Sequence, residues 1–167
     1  MIIQTSLEGK PNFAIEQPDH TRTCGQLART FGNADFAQPA PRDLVIYIVE
    51  HHDALREQSP TTDLPHHLTQ TPLPYLIQTS KGSPEFNEKH HPYCGLLSSM
   101  HTYGLFNGRY GLSDFIFIDK ISAEHKASAD AMLAYELARQ ARLKADLGAD
   151  STFQTWIEEK ALFNNYK

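Results

Sequence analysis

An all-α fold is predicted by three observations. Apolar residues recur at helical spacing from His20 to Phe31 and again from Tyr93 to Phe106. A long stretch from Ser122 to Leu147 is rich in Ala, Leu, Lys and Glu, and it ends at Gly148. The apolar run Leu44 to Val49 passes into Glu50 to Gln58 without a turn residue. Periodic segments with punctuated ends are the marks of helices. A chain of 167 residues is long enough for one domain with a real core and too short for two comfortable ones, so a single helical unit spanning 1–167 is expected.

The first helix opens at Pro18 and Asp19, where a missing N–H costs little and an acidic side chain suits the helix dipole. His20, Cys24, Leu27 and Phe31 then form its inward stripe, until Gly32-Asn33 ends it. The second follows Pro39, Pro41 and Asp43. Its Leu44-Val45-Ile46-Tyr47-Ile48-Val49 core has the β-branched composition of a buried strand as well, and continuity through Gln58 favours helix, with Ser59-Pro60 as the stop. From Ser59 to Pro92 the chain carries six prolines and only short apolar fragments, which predicts a long excursion or a lid over a site. Tyr93 to Phe106 is the third helix, with His101 on an inward row and Asn107-Gly108 as its break. Phe115 to Ile118 is short and apolar and fits no element. Ser122 caps the long helix, Gly148 stops it, and Ser151 to Asn164 continues as a further helical segment.

Composition removes several function classes. A formal charge of -5, from 15 basic and 20 acidic residues, provides no footprint for a nucleic-acid polymer. Met1 to Phe13 lacks a basic stretch followed by an apolar core, and no apolar run approaches the ~18–20 residues of a membrane span, so a cytoplasmic protein without a membrane partner is expected. Cys24 and Cys94 are the only cysteines. Neither belongs to a Cys-x-x-Cys, and both fit the role of small core hydrophobes.

The chemistry-bearing residues are histidines. His20, His51-His52-Asp53 and His101 lie in three separate helical segments, and three such positions with a carboxylate are what a buried divalent-metal site needs. Imidazole nitrogen with carboxylate oxygen suits Mn, Fe, Ni or Zn better than Ca, as one ion or two. Any one histidine on an apolar helix face is more often a core residue bonded to a carbonyl, so the argument rests on the set. Successive helical side chains diverge by ~100°, so His51, His52 and Asp53 do not all point one way. His66-His67 and His90-His91 sit in polar, proline-rich surroundings that favour solvated loops, although either pair has the ligands for a second metal. His67-Leu68-Thr69 formally matches a His-x-Thr phosphoesterase pattern, but its second copy at His101-Thr102-Tyr103 is wrongly spaced. His125 is expected on the surface.

Gln17-Pro18-Asp19-His20 with Gly25-Gln26-Leu27-Ala28, then His51-His52-Asp53, then Leu97-Ser98-Ser99-Met100-His101 with Gly104-Leu105-Phe106 and Gly108-Arg109, resembles the bacterial DUF3891 proteins. Those are similar in turn to the HD superfamily of metal-dependent phosphohydrolases. The resemblance runs from Gln17 to Lys167 and implies an HD-like helical bundle. Its middle motif leaves two registers open, with His51 matching the family histidine and His52 matching a plain His-Asp pair. HD proteins complete their site with an aspartate from a late helix that follows an Asn-Tyr pair. Here Asn165-Tyr166 is followed only by Lys167, which implies a truncation before that ligand, with Asp114, Asp119 or Asp130 as substitutes. A removed helix would also leave an apolar stripe open to a second copy of the chain, a homo-oligomer.

The resemblance implies hydrolysis of a small phosphorylated molecule or nucleotide, with His20, His51 or His52, Asp53 and His101 as metal ligands. Asp53 and Arg109 are the catalytic candidates. Arg22 and Arg109 are the candidates for binding substrate, since a guanidinium fork matches phosphate. Two other classes stay open: a di-iron HD-type oxygenase of polyols or phosphonates, and a helical sensor or binding module without catalysis.

Overall fold

The computed structural model describes residues 2–4, 13–35, 37–55, 73–107, 117–150 and 153. The expected all-α architecture holds. Five helices dominate these residues: α1 (Gln17–Thr30), α2 (Arg42–His51), α3 (Leu73–His90), α4 (Pro92–Asn107) and α5 (Ala123–Leu147), with a 3-10 turn at Phe117–Lys120. A short antiparallel ladder, which the sequence reading did not anticipate, precedes them: β1 (Ile2–Gln4) pairs with β2 (Phe13–Ile15), Ile2 opposite Ile15.

Helix α4 is the centre of the bundle. Every residue from Tyr93 to Thr102 is buried, and α4 packs against α2, α3 and α5, while α1 packs on α2. Cys24 and Ala28 of α1, Val45, Ile48 and Val49 of α2, Leu96, Leu97 and Met100 of α4 and Leu143 of α5 form one core cluster. A second gathers Phe106, Ile118, Ala129, Met132 and Leu133. Fully burying a Leu or Ile such as Leu96 or Ile48 contributes about 1.5–3 kcal/mol. The buried hydroxyls of α4 are used as ties. Ser98 Oγ accepts from Asn87 of α3 at 3.2 Å, and Ser99 Oγ donates to the Glu136 carbonyl of α5 at 3.1 Å.

Three sequence expectations are corrected. Leu27 is not on the inward stripe of α1; it is 59% exposed, and Gln17, Thr21, Cys24, Gly25 and Ala28 face inward instead. The proline-rich excursion shortens, because residues 73–90 are helix. Pro74 falls in the first turn, where no helical bond is lost. Pro84 is internal and removes the bond to the Ser80 carbonyl, four residues back, and that oxygen accepts the Thr102 hydroxyl of α4 at 3.1 Å. The third correction concerns α2, which ends at His51 and gives way to a turn over 52–55. Its cause is tertiary. The Ala54 N–H bonds the His51 carbonyl at 3.1 Å, in three-residue spacing, and the Asn87 amide of α3 donates to the same oxygen at 2.9 Å. The Leu55 N–H, which a continuing α-helix would direct to His51, reaches Ser83 Oγ of α3 at 3.4 Å.

The expected long helix is present with its expected ends. The Ser122 carbonyl accepts the N–H groups of His125 and Lys126, both at 3.0 Å, and Gly148 closes it at φ +62°, a backbone conformation that favours glycine. His125 is half-buried rather than on the open surface. Of the segment expected over 151–164, only Phe153 lies within the described residues; its ring packs on His91 and Tyr93. Both cysteines are buried and unbridged, and burial pushes the Cys94 thiol up to about 12.

A charged seam joins α3 to α5. Arg139 is almost wholly buried; its Nε donates to Glu136 Oε2 at 3.1 Å and its Nη1 to Glu88. Arg142 Nη2 donates to the other oxygen of Glu88 at 2.6 Å. Burial pushes the Glu136 carboxyl above its ordinary range, against the pull of Ser99 and Arg139.

Candidate metal centre

Two short segments build the site: the first turn of α1 and the turn that follows α2. Gln17 and His20 are three residues apart, so they project from neighbouring positions on α1. The approach of α1 to α2 uses Gly25, where a Cβ would clash with the Glu50 side chain. Beyond it, Arg29 of α1 holds the same Glu50 carboxylate, with Nη2 to Oε2 at 2.7 Å.

The two segments meet residue against residue. His20 Nε2 lies 3.1 Å from His52 Nε2, and Gln17 Nε2 donates to Asp53 Oδ2. His52 Nε2 is 3.6 Å from the same Asp53 oxygen. One ligand atom from each of His20, His52 and Asp53 falls within 4.8 Å of the others. His52 and Asp53 are buried, with 3% and 6% of their surface exposed, and His20 is half-buried. Cys24 Sγ stands one turn along α1, 3.7 Å from His20 Nδ1.

The tautomer of His52 follows from its neighbours. Its Nδ1 is 2.7 Å from the Val49 carbonyl, which only accepts, so in the neutral ring the proton resides there and Nε2 presents its lone pair toward His20 and Asp53. This carbonyl–imidazole arrangement is the outer-sphere contact that orients metal-bound histidines. The spacing also fits. Two bonds of about 2.05 Å opened at a tetrahedral angle separate their nitrogens by about 3.3 Å, close to the separation seen. The residues present therefore suit a transition ion.

Of the two adjacent histidines, His52 and not His51 joins this set. His51 turns away: its Nδ1 bonds the Tyr47 carbonyl at 2.8 Å, and its ring stacks on Tyr47 at 4.2 Å between centroids. His101 is buried and packs edge-on against His52, with centroids 5.3 Å apart, outside the 4.8 Å set. His90 stacks on the Tyr47 ring at 3.6 Å, and His91 Nδ1 accepts the Tyr93 N–H at 3.1 Å. His91 is also held below its ordinary range by burial and by His90. Arg22 is exposed and paired with Asp19. Asp119 is exposed, and Asp130, also exposed, takes Lys126 Nζ at 2.6 Å. Arg109, Asp114, His66-His67 and Asn165-Tyr166 lie outside the described residues.

Three residues that shape the site carried no chemical signal in the sequence. Gln17 holds the carboxylate, while Ser83 and Asn87 hold the turn that presents it. Only Gln17 stood inside a quoted motif, where it was one letter of Gln17-Pro18-Asp19-His20.

The chain matches the profile of a family described as a protein of unknown function, DUF3891, over residues 1–167, and it belongs to that family. No curated protein and no solved structure matches it. None of the helices in the described residues is long and apolar enough to cross a membrane.

Proposed function

We propose that this DUF3891 member is a metal-dependent phosphohydrolase of the HD type, acting on a small phosphorylated molecule or nucleotide. His20, His52 and Asp53 would hold a divalent ion of the Mn, Fe, Ni or Zn group, with His101 beside them. The observation that carries the reading is the pair of imidazole Nε2 atoms 3.1 Å apart beside a buried carboxylate, with the His52 proton assigned to the opposite nitrogen.

When bound, such an ion lowers the pKa of a water and polarises a phosphoryl oxygen. The chain's own groups do the rest. His52 is aimed by the Val49 carbonyl, and Asp53 accepts from Gln17. Burial of His52, Asp53 and His101 would strengthen their electrostatic interaction with a bound cation. In the hydrolysis, a water oxygen forms a bond to phosphorus, the ester P–O bond breaks, and the departing oxygen takes a proton. Arg22 and Arg109 are the phosphate-binding residues on this reading. The Arg22–Asp19 pair is exposed, and exposed pairs are worth little, so exchange of Asp19 for phosphate costs little.

The test is elemental analysis of purified protein beside His20→Ala, Asp53→Ala and His101→Ala variants, followed by release of p-nitrophenol from its phosphate mono- and diesters. Roughly one transition ion per chain, lost with ester hydrolysis in the His20 and Asp53 variants, is the expected result. A wild-type chain that takes up no ion after reconstitution overturns the proposal in favour of a binding module. Bound iron with oxygen uptake and no phosphate ester cleavage replaces it with an oxygenase.

A further inference from the structure

Gln17 occupies the first position of α1, and 5% of its surface is exposed. A carboxamide is unfavourable to bury unless it is hydrogen-bonded, and here it donates to the carboxylate of the candidate centre. The contact has a defined polarity. An ionised carboxylate only accepts, so the atom facing Asp53 is the amide nitrogen. It meets Oδ2, the same oxygen that lies 3.6 Å from His52 Nε2. Two consecutive contacts therefore run between α1 and the turn after α2: Gln17 to Asp53, and His20 to His52.

We infer that Gln17 is the positioning residue of the metal centre, fixing the rotation of the Asp53 carboxylate so that one oxygen faces the imidazole pair. The inference rests on the reading of these residues as a metal site. An Asp side chain turns about its own Cα–Cβ and Cβ–Cγ bonds, and Asp53 stands in a turn over 52–55 rather than in a helix. A donor fixed on α1 restricts that rotation before an ion arrives. Hydrogen bonds that orient a metal ligand typically alter metal affinity 10–100-fold.

The experiment compares wild type with Gln17→Met, which keeps the length without a donor, and Gln17→Asn, which keeps the carboxamide and shortens its reach. Zinc affinity is measured by competition with a chromophoric chelator, and the visible spectrum of the cobalt-loaded chain reports the ligand geometry. Both variants are expected to bind zinc about 10–100-fold more weakly and to change the cobalt spectrum, with the far-UV circular dichroism of the folded chain unchanged. Wild-type affinity and spectrum in either variant overturn the role of Gln17 while leaving the metal centre standing. Failure of the wild type to bind zinc or cobalt removes the centre itself, and the inference with it.

Discussion

The turn after α2 and the seam between α3 and α5 both bury polar side chains, and they compose them differently. At the seam, carboxylates alternate with guanidinium groups, Glu136 to Arg139 to Glu88 to Arg142, so the chain supplies both signs. At the turn, two imidazoles and a carboxylate gather beside a carboxamide. Charges matched within the chain offset one another; nitrogen and carboxylate lone pairs brought together gain their complement from a cation. The comparison teaches that burial of polar groups is not in itself a functional signal. Composition of the cluster is what separates a structural network from a candidate site.

Four substitutions test that separation. His52→Ala is expected to have the largest effect, complete loss of stoichiometric metal by elemental analysis in a chain that still folds; a variant with undiminished metal would place the ligands elsewhere. Arg139→Met should do the reverse. It leaves Glu136 buried without its guanidinium and should cost about 3–5 kcal/mol in denaturant unfolding, with metal content unchanged. Loss of metal in that variant would show that the two clusters are coupled.

A smaller effect is expected from Glu136→Gln, and it depends on pH. Because burial raises the Glu136 carboxyl, the folded state holds its proton more tightly than the unfolded chain does. The stability that this proton contributes is full below the ordinary carboxylate value of 4.5 and is lost as pH rises through the higher folded value. The wild-type midpoint in denaturant should therefore fall relative to Glu136→Gln as pH is raised from below 4.5 to neutrality. A constant difference would mean that the carboxyl titrates alike in the folded and unfolded chain, and a wild-type midpoint that rises with pH would mean that Arg139 holds it ionised. Arg22→Ala, at an exposed pair, should leave stability unchanged and weaken only the KM for phosphate esters. An unaltered KM would remove Arg22 from the substrate-binding candidates.

The same contrast explains what could be read from the sequence. Helices α1, α4 and α5 announce themselves through apolar spacing and through Gly148 and Asn107-Gly108, and their histidines followed from that spacing. Helix α3 does not, because its buried face is Thr79, Ser80, Ser83 and Asn87, small polar residues that read as loop. Thr79 and Ser83 fold their hydroxyls onto carbonyls of their own helix, at Leu76 and Thr79, and so satisfy themselves within it. Nor was the choice between His51 and His52 available. It depends on where α2 stops, and Asn87 and Ser83, more than 25 residues further along, stop it. A local pattern does not contain that information. The resemblance pointed to the family that the chain belongs to, while the contact of the Gln17 carboxamide with Asp53 required coordinates.

Pro84 sets a register. By withholding one N–H it leaves the Ser80 oxygen available at a single level of α3, and Thr102 meets it there. Sliding α3 by one residue along α4 would carry that oxygen about 1.5 Å away and out of reach of the buried hydroxyl. The axial height of α3 is thus indexed like a bolt in a keyway, and Ser83 and Asn87, on the same helix, inherit it. A proline in one helix thereby determines the height at which His52 and Asp53 are offered to another.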